Sequence, residues 1–251
     1  MPEDPRRHFG PVAHNYTVAT YHTNADRLRE ILDLAQLVAE DVVLDAATGT
    51  GNVALALAPR VDRVVGVDLT SQMLLQGRRV AEERGISNVD WVNADVHRLP
   101  FADASFDLYT VRAAPHHFRD LRLALEEAER VLRRGGRACF IDCAPPAEAA
   151  DLLHEIEIRR DPSHVRSRSL EEWTDLVGAT GLEIEVAERR ELFWAFDDWM
   201  DNMSVSKERR LEMERILDGA PPAARAALRP ERIGGRLHHA YWHAMIRARK
   251  P

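Results

Sequence analysis

The sequence predicts a doubly wound α/β fold with a mostly parallel sheet of seven strands. Three observations lead to this prediction. Short runs of almost wholly apolar residues alternate with amphipathic stretches up to residue 143, as in parallel sheets that helices cover on both faces. The first run passes directly into a glycine-containing turn. Beyond residue 143 the alternation gives way to helical segments, which predict an insertion that caps the ends of the strands.

The predicted elements follow one another as strand, loop and helix. Before the first strand, apolar residues at helical spacing predict a helix that Asn24 caps and that runs to about Ala39. Strands are predicted at residues 42–46, 63–68, 90–94, 106–111, 137–142, about 182–191 and about 236–247. Helices are predicted at about 51–58 and at about 119–133, the latter with a stop at Gly135 and Gly136. Another helix should begin after a cap at Thr70 or Ser71, and much of 145–180 and 193–230 should also be helical.

Composition places the chain among ordinary globular proteins. Hydrophobic residues make up 45% and charged residues 30% of its 251 positions, and no apolar run approaches the ~18 residues that a membrane helix needs. The opening segment, MPEDPRRHFGPV, lacks the apolar stretch of a secretory signal. We therefore expect a cytoplasmic protein that has no membrane partner.

Charge and cysteine content argue against several further classes. The net charge of −7 disfavours a nucleic-acid partner, which would need a clustered basic face. The lysines are Lys207 and Lys250 alone, and neither lies in a segment typical of a pocket, which disfavours Schiff-base chemistry. The two cysteines, Cys139 and Cys143, are expected to be reduced and buried, with no metal site.

The turn after the first strand is the most informative segment. It reads Asp45-Ala46-Ala47-Thr48-Gly49-Thr50-Gly51-Asn52. Its glycines allow the backbone to approach a ligand closely, and the helix that follows offers free N–H groups to an anion. The run from Gly49 to Ala54 also fits the dinucleotide pattern G-x-G-x-x-G/A, with Asp68 placed to hold a ribose diol. This spacing fits both NAD and S-adenosylmethionine.

Two further carboxylates favour S-adenosylmethionine over NAD. Asp45 lies in the strand just before the turn, where a carboxylate would attract an ammonium group and repel a pyrophosphate. Asp95 stands at the end of the third strand, where it can accept a hydrogen bond from the exocyclic amine of adenine. Open α/β sheets bind ligands at these carboxyl ends of strands.

These segments resemble the class I S-adenosylmethionine-dependent methyltransferases, in particular the type 11 group that includes the UbiE-like quinone C-methyltransferases. The resemblance covers residues 40–143 most strongly. It rests on ValLeuAspAlaAlaThrGlyThrGlyAsnValAla (43–54), GlyValAspLeuThrSerGlnMetLeu (66–74) and AlaAspValHisArgLeuProPheAlaAspAlaSerPheAsp (94–107). It implies a Rossmann-like fold and methyl transfer to the oxygen or activated carbon of a small-molecule acceptor by in-line displacement.

The resemblance also implies roles for the cofactor-binding residues. Asp45, Gly49 and Gly51 would surround the methionine end of S-adenosylmethionine, with Ala47 and Thr48 in the same loop, and Asp68 would hold the ribose hydroxyls. Leu69 and Met73 would flank the adenine, while Asp95 and Val96 would contact its edge. Ala47 departs from the family pattern, since many relatives have a glycine there; it adds one methyl group and tightens the loop slightly.

We treat residues 1–251 as one domain, because no linker or internal repeat interrupts the chain. Residues 40–143 would form the cofactor-binding core. Residues 144–235 would add helices and a sixth strand that cap the substrate, and residues 236–247 would form the last strand. Within the additions, Ser169 and Glu172 have the spacing of a capping box.

The candidate catalytic residues follow the fourth strand. His116 and His117 stand where the transferred methyl group should lie, and histidine titrates near neutrality. They would either contact the substrate or pack within the loop. Arg112 would meet an anionic group of the substrate or the cofactor carboxylate, or form a structural ion pair. Asp142, at the end of the fifth strand, would either contribute to the site or accept a hydrogen bond that orients the loop.

Aromatic residues provide further candidates. Tyr16 or Tyr21 could fold over the sulfonium, since ring faces attract cations, or pack on the core; Tyr21 is our third catalytic candidate. The aromatic residues at 193–199 are expected in the core rather than in a lid. His239, Tyr241 and His243 would share one face of the last strand, which does not suffice for a three-histidine metal site.

One polar segment of the additions leaves two interpretations open. ArgAspProSerHisValArg (160–166) compresses several charged and polar groups into a turn between helices. The segment could present an arginine or a histidine to the pocket. Alternatively, it is a charge-paired connection that positions the insertion.

Three alternatives to a small-molecule methyltransferase remain at this point. An NAD-dependent oxidoreductase would fit the glycine pattern, but the chain has no Tyr-x-x-x-Lys pair. Nucleic-acid methylation is disfavoured because ArgAlaAlaProHisHis (112–117) replaces the Asp/Asn-Pro-Pro-aromatic tetrad that holds a flipped base. A non-catalytic protein that binds S-adenosylmethionine is the third. The sequence does not decide the oligomeric state, and a homodimer is one of the states it allows.

Overall fold

A single mixed sheet organises the chain in the computed structural model, which describes residues 3–18, 25–201 and 203–251. Its strands are β1 (Val42–Ala46), β2 (Arg63–Asp68), β3 (Val89–Asn93), β4 (Phe106–Arg112), β5 (Leu132–Cys143), β6 (Glu183–Ala195), β7 (Glu231–Ile233) and β8 (Arg236–Arg249). They lie in the order β3-β2-β1-β4-β5-β8-β6, and β7 pairs with β8. The first five strands are parallel, and β8 runs antiparallel to its neighbours.

The strand order reverses between β1 and β4, which is the switch point where doubly wound sheets bind ligands. The fold class is therefore confirmed. All seven predicted strands are present, and the three-residue strand β7 is an addition that the sequence did not predict. It forms a hairpin with β8 across Gly234 and Gly235, both of which have positive φ.

Helices lie before, between and after the strands. They are α1 (Pro5–Val18), α2 (Ala25–Ala35), α3 (Asn52–Leu57), α4 (Ser71–Glu83), α5 (Leu121–Val131), α6 (Ala147–Arg160), α7 (Leu170–Gly178), α8 (Phe196–Asp201), α9 (Lys207–Asp218) and α10 (Pro222–Leu228). Among the described residues, none of these helices combines the length and apolar character needed to span a bilayer.

The parallel strands are buried on both faces. Val43 packs into one hydrophobic cluster and its neighbour Leu44 into another, because successive side chains of a strand point to opposite faces. Both residues are fully buried, and a buried Val or Leu contributes about 1.5–3 kcal/mol relative to its exposed state. Continuous apolar runs thus produce central strands, as predicted.

Two predicted helix ends were wrong. The helix expected to run to Ala39 ends at Ala35, since Gln36 adopts φ +49° and breaks the helical path; its proposed cap, Asn24, is outside the described residues. The helix expected to stop at Gly135 ends at Val131, and β5 begins at once. Gly135 lies instead in a bulge of β5, because the four residues 133–136 stand opposite the single residue Asp107 of β4.

Several smaller predictions are confirmed. Ser169 Oγ accepts a hydrogen bond from the amide of Glu172 at 3.2 Å, and Glu172 Oε2 accepts one from the amide of Ser169 at 3.0 Å. This is the predicted capping box, and it opens α7. Cys139 and Cys143 are both buried free thiols.

The helical additions pack around a second core at one end of the sheet. Strands β6 and β8 pair from Glu183 and Arg249 as far as Ala195 and His238, whereas the pairing of β5 with β8 stops at Cys143. The part of β8 that extends beyond β5 packs with α6, α8, α9 and α10. These helices therefore lie beside the carboxyl ends of β4 and β5. The division of the chain into a cofactor core and a substrate cap stays a prediction.

Candidate functional site

A cavity of about 510 Å³ opens at the carboxyl ends of β1, β2 and β4, beneath helix α1. It lies at the switch point of the sheet. Of the predicted cofactor residues, those that line the cavity are Asp45, Ala47, Thr48, Gly49, Asp68, Leu69, Met73, Asp95, Val96 and Arg112. The structure thus brings together almost all of the residues that the loop and strand ends indicated.

Asp45 is the most deeply buried carboxylate of this cavity, with 1% of its surface exposed. Its oxygens accept hydrogen bonds from Thr48 Oγ1 at 2.5 Å and from Thr110 Oγ1 at 2.8 Å. Burial raises the pKa of Asp45 to about 6, because the two hydroxyls, the amide of Ala54 and the charge of Arg112 only partly offset its lost hydration. A further cationic group, closer to this carboxylate, would favour the ionised form.

The loop after β1 presents backbone to the cavity. Gly49 has φ +57°, and a Cβ built on it would meet nothing within 4 Å, so the space above it is open. Ala47 has φ +49°, a conformation that costs a non-glycine residue about 1–2 kcal/mol. The departure from the family pattern at Ala47 is therefore a matter of backbone strain as well as of one added methyl group.

Gly51 has a different environment from the other loop residues. It has φ +80°, and a Cβ there would lie 2.3 Å from Cη2 of Trp91 on β3. A Cβ on Gly77 of α4 would lie 2.5 Å from Cζ3 of the same indole. Gly51 does not line the cavity but provides room for Trp91 behind the loop. Sequence reasoning missed Trp91, although a large residue opposite two glycines could have indicated close packing.

Asp68 and Asp95 stand at the ends of β2 and β3. Asp68 accepts hydrogen bonds from the amides of Gly49 at 2.9 Å and Thr70 at 2.7 Å, and burial raises its pKa. Asp95 is partly buried, which opposes ionisation, but the amide and ring of His97 donate to it at 2.9 and 2.6 Å and lower its pKa. His97 also lines the cavity and was missed from the sequence.

Helix α1 covers the cavity, and no prediction anticipated this helix. Its residues Phe9 and Tyr16 lie in the wall. Asn52 Nδ2 donates to the backbone oxygen of Tyr16 at 3.0 Å, and the Tyr16 hydroxyl donates to Met203 Sδ at 3.0 Å. Tyr16 is thus placed at the site as one of the two candidate tyrosines, whereas Tyr21 lies outside the described residues.

A second, smaller cavity of about 50 Å³ adjoins the first. Phe9, Tyr16, Ala113 and His117 line both spaces. The remaining wall of the small cavity comes from His116, Asp142, Cys143, Arg160, Trp194, Trp199, Tyr241 and His243. The aromatic residues at 193–199 therefore have different positions. Phe196 is fully buried in the core, whereas Trp194 and Trp199 line the small cavity.

The two histidines after β4 have opposite electrostatic surroundings. His116 Nδ1 and Asp142 Oδ1 are 2.6 Å apart. Burial opposes protonation of His116, but Asp142 and, after it, Cys143 outweigh this effect and raise the pKa of His116 well above its usual value. Burial and the neighbouring His116, with ring centroids 4.1 Å apart, lower the pKa of His117 to about 4. The first ring therefore favours the cation and the second the neutral form.

The segment 160–166 connects to these histidines. Ser163 Oγ lies 3.2 Å from His117 Nδ1, and Asp161 Oδ2 lies 3.7 Å from His117 Nε2. The carbonyl of His116 accepts hydrogen bonds from the amides of residues 165 and 166. Arg160 pairs with Glu157 at 3.0 Å while also lining the small cavity. The segment is thus both a charge-paired connection and part of the wall.

Three of these side chains could also meet as metal ligands. Ligand atoms of His116, Asp142 and Cys143 lie within 4.8 Å of one another, and within the described parts of the chain no other such group was found. The 2.6 Å separation of His116 Nδ1 and Asp142 Oδ1 is that of a hydrogen bond. The absence of a metal stays a prediction.

The comparisons with known proteins agree on one family. The family model described as a methyltransferase domain matches residues 44–140. The uncharacterized methyltransferase YcgJ of Bacillus subtilis (strain 168) is 33% identical over 219 residues, which cover 86% of this chain and 87% of that protein. The crystal structure of the YcgJ protein has a TM-score of 0.83 at 31% identity and covers 89% of this chain and 97% of that one.

Two other similarities are more limited. A demethylmenaquinone methyltransferase of Thermus thermophilus is 40% identical over 135 residues, which are 53% of this chain and 61% of that protein. The geranyl diphosphate C-methyltransferase of Streptomyces coelicolor A3(2), solved with Mg²⁺, geranyl diphosphate and S-adenosyl-L-homocysteine, has a TM-score of 0.66 at 16% identity, with coverage of 94% of this chain and 82% of that one. At that identity the likeness concerns the fold alone.

Proposed function

This chain belongs to the methyltransferase domain family and is an S-adenosylmethionine-dependent methyltransferase, and we propose that it methylates a small molecule on oxygen or on an activated carbon. The transfer is an in-line displacement. The observation that carries this proposal is the pairing of the two cavities, which share Phe9, Tyr16, Ala113 and His117 in their walls. The larger cavity suits the cofactor, and the smaller one suits the reacting end of an acceptor.

The residues around the large cavity fit S-adenosylmethionine. The raised pKa of Asp45 reflects a buried carboxylate that lacks a full counter-charge, and the cofactor's ammonium group would supply one. The open space above Gly49 gives the ligand access to the loop backbone. Asp68, at the end of β2, would hold the ribose hydroxyls, and Asp95 with Val96 would contact the adenine edge.

S-adenosylmethionine supplies an electrophilic methyl group on a sulfonium when it is bound. The chain's own residues then have three tasks. They hold the acceptor in line with that methyl group, since positioning alone can provide much of the rate enhancement. They exclude water, for which α1 covers the cavity through Phe9 and Tyr16. They also receive a proton where the acceptor carries one, and His116 or His117 is available for that task.

Other evidence supports a small-molecule acceptor. The relative from Thermus thermophilus is named for demethylmenaquinone, a small molecule. The small cavity of about 50 Å³ is buried among side chains and suits part of a small ligand. The chain carries a net charge of −7, which disfavours a nucleic acid. The NAD-dependent oxidoreductase is set aside because the chain belongs to a family of methyltransferases.

Calorimetry with S-adenosylhomocysteine tests the cofactor site. We expect Asp68→Asn to weaken binding at least 10-fold, because hydrogen bonds to a charged group contribute about 1.5–3 kcal/mol. Asp90→Asn is the control, since Asp90 is a half-exposed carboxylate on β3 that pairs with Arg63 away from the cavity. Equal affinities of both variants and the parent protein would contradict the assignment.

Labelled methyl transfer distinguishes an enzyme from a protein that only binds the cofactor. We expect transfer of the labelled methyl group to at least one member of a collection of small hydroxylated and carbon-acid acceptors. Binding of S-adenosylhomocysteine with no transfer to any acceptor would favour the non-catalytic alternative.

A further inference from the structure

The small cavity also indicates what class of acceptor the enzyme takes. We propose that the acceptor is a planar ring with an ionisable hydroxyl group, phenolic or enolic, that His116 receives the hydroxyl proton, and that Asp142 is the positioning residue for the imidazole. This inference rests on the proposed methyl transfer and specifies its acceptor.

The size of the small cavity limits what can enter it. Its volume is about 50 Å³, against about 510 Å³ for the large cavity. It is about a tenth of the large cavity, so it can receive one side of an acceptor beside His116, while the rest of the acceptor lies at the junction with the large cavity. Phe9, Tyr16 and His117 form that junction, which places the reacting atom next to the predicted position of the methyl group.

The walls around that position are aromatic. The rings of Phe9 and Tyr16 are 5.7 Å apart at an angle of 79°, and those of Trp194 and Tyr241 are 5.2 Å apart. Trp199 lies 5.6 Å from Tyr241, and all of these rings line the small cavity. Aromatic side chains pack best against other rings, edge to face or offset. Such walls favour a planar ring over a flexible aliphatic chain.

The His116–Asp142 pair is arranged for proton transfer. Nδ1 is held by Asp142 Oδ1 at 2.6 Å, which leaves Nε2 to accept a proton, and Asp142 stabilises the resulting imidazolium. The thiol of Cys143 is a further hydrogen-bond partner of this ring. The side chain of His116 is only 8% exposed, so bulk water cannot readily perform the same task. The groups that face His116 are Asp142 and Cys143 from β5, His117 from its own turn, His164 from the segment after α6, and His243 from β8.

The charged side chains around the small cavity favour a hydroxyl acceptor over an amine. Asp142 is the sole carboxylate among the described residues that line the small cavity, and it is already bonded to His116. Arg160 contributes a guanidinium to the same wall. Arg160 is in turn paired with Glu157. An ammonium group would therefore find no carboxylate in that wall that is not already bonded, whereas a hydroxyl group can give its proton to His116.

The proposed step balances without any other reactant. The O–H bond of the acceptor breaks, and its proton goes to Nε2 of His116. The oxygen forms a bond to the methyl carbon while the S–CH3 bond breaks and its electron pair stays on sulfur. The products are the methyl ether, S-adenosylhomocysteine and an imidazolium that later returns its proton to water.

Transfer assays with matched acceptors test the substrate class. Labelled S-adenosylmethionine is incubated with phenols, naphthols and cyclic enols, and in parallel with the corresponding amines, thiols and carboxylic acids. We expect labelled ethers from hydroxylated rings at a rate at least 10-fold above that of the amines. Preferential methylation of amines, thiols, carboxylates or ring carbon would overturn the proposal. Unaltered binding of S-adenosylhomocysteine with no transfer to any hydroxylated ring would also overturn it, while leaving the cofactor site intact.

The pH profile tests the roles of His116 and Asp142. The 2.6 Å contact of His116 Nδ1 with the carboxylate of Asp142 favours the protonated ring, so kcat/KM should rise with pH as that proton is lost. Asp142→Asn removes the stabilising charge and should move the rising limb down by at least one pH unit, with a plateau at least 10-fold lower. His116→Gln should abolish the limb. Asp175→Asn, which changes an exposed carboxylate on α7, should leave the profile unchanged.

Two results would contradict these roles. One is a limb at the same pH in the parent protein and in Asp142→Asn, with both proteins folded by circular dichroism. The other is a stoichiometric metal ion in the purified protein that Cys143→Ser removes, because His116 and Asp142 would then be ligands and not a proton-transfer pair.

Discussion

The two cavities are built by different means. In the large cavity, backbone amides hold the carboxylate of Asp68, and loop conformation shapes the space. In the small cavity, side chains hold one another: Asp142 pairs with His116, and Glu157 pairs with Arg160 and accepts from the hydroxyl of Tyr241 at 3.1 Å. Substitutions at the small cavity should therefore affect its own network without altering the cofactor site.

The largest expected effect comes from breaking the buried pair behind the small cavity. Glu157 and Arg160 have side chains only 2% and 8% exposed. Glu157→Gln leaves the guanidinium without its partner, and we expect a loss of about 3 kcal/mol in the free energy of unfolding, measured by urea denaturation. Methyl transfer should fall with it, whereas the affinity for S-adenosylhomocysteine should stay within about twofold.

The same helix supplies the control for this variant. Glu155 and Arg159 form an exposed pair on α6, with side chains 45% and 36% exposed, and such pairs contribute about 0–1 kcal/mol. Glu155→Gln should therefore change stability by less than 1 kcal/mol. A large loss of S-adenosylhomocysteine affinity in Glu157→Gln would show that the two cavities are not independent.

Gly51→Ala should damage the large cavity through the backbone. Its Cβ would lie 2.3 Å from Trp91 at φ +80°, and left-handed strain of about 1–2 kcal/mol adds to overpacking of about 1–3 kcal/mol. We expect a loss of about 3 kcal/mol in stability, together with weaker binding of S-adenosylhomocysteine. Thermal and urea unfolding measure the first, and calorimetry the second.

A double variant separates the two causes. Gly51→Ala combined with Trp91→Leu removes the overlap but keeps the positive φ, so it should regain part of the affinity. Gly178→Ala is the control, because a Cβ at the end of α7 would meet nothing within 4 Å. No regain in the double variant would mean that Trp91 does not support the loop.

Asp45 is the exception in the large cavity, since side chains hold it there. Its pKa is raised by burial from 3.8 to about 6. Ionisation of Asp45 therefore lowers the free energy of unfolding; this cost is absent below about pH 4, grows between pH 4 and 6, and is complete above pH 6. Asp45→Asn should therefore stabilise the empty protein by about 2 kcal/mol at pH 7.5, with a smaller gain at pH 4.5. The measurement is urea unfolding at both pH values.

The same substitution should weaken the cofactor site, because it removes the negative charge that we assign to the ammonium group. We expect at least a 10-fold loss in affinity for S-adenosylhomocysteine at pH 7.5. A stability gain without a loss of affinity would remove Asp45 from the cofactor site but leave its burial cost confirmed.

The difference between the cavities also explains what the sequence could predict. The bounds of β1 and β2 match their predicted ranges, because each is a short apolar run with turn residues at both ends. Their terminal carboxylates, Asp45 and Asp68, then fall in one cavity since parallel strands end on the same edge. Local pattern and topology were sufficient for this half of the site.

The small cavity could not be predicted in the same way. Its walls come from segments as distant as Phe9, His116 and Tyr241, and no local pattern indicates that His116 meets Asp142 across 26 positions. Helix α1 was missed because Gly10 and Pro11 interrupt its sequence and its apolar residues follow no strong helical spacing. Tertiary packing decides these features.

Ala47→Gly should give the smallest effect and tests how far backbone conformation governs the large cavity. Ala47 has φ +49°, so glycine removes strain of about 1–2 kcal/mol, partly offset by the greater freedom of glycine in the unfolded chain. We expect a net stabilisation of about 1 kcal/mol in urea unfolding, with S-adenosylhomocysteine affinity unchanged or slightly higher. Ala58→Gly provides the contrast, because Ala58 has φ −47° and should lose about 0.5–1 kcal/mol. Equal destabilisation by both substitutions would show that the loop carries no strain at Ala47, and that the main chain shapes this cavity less than its geometry indicates.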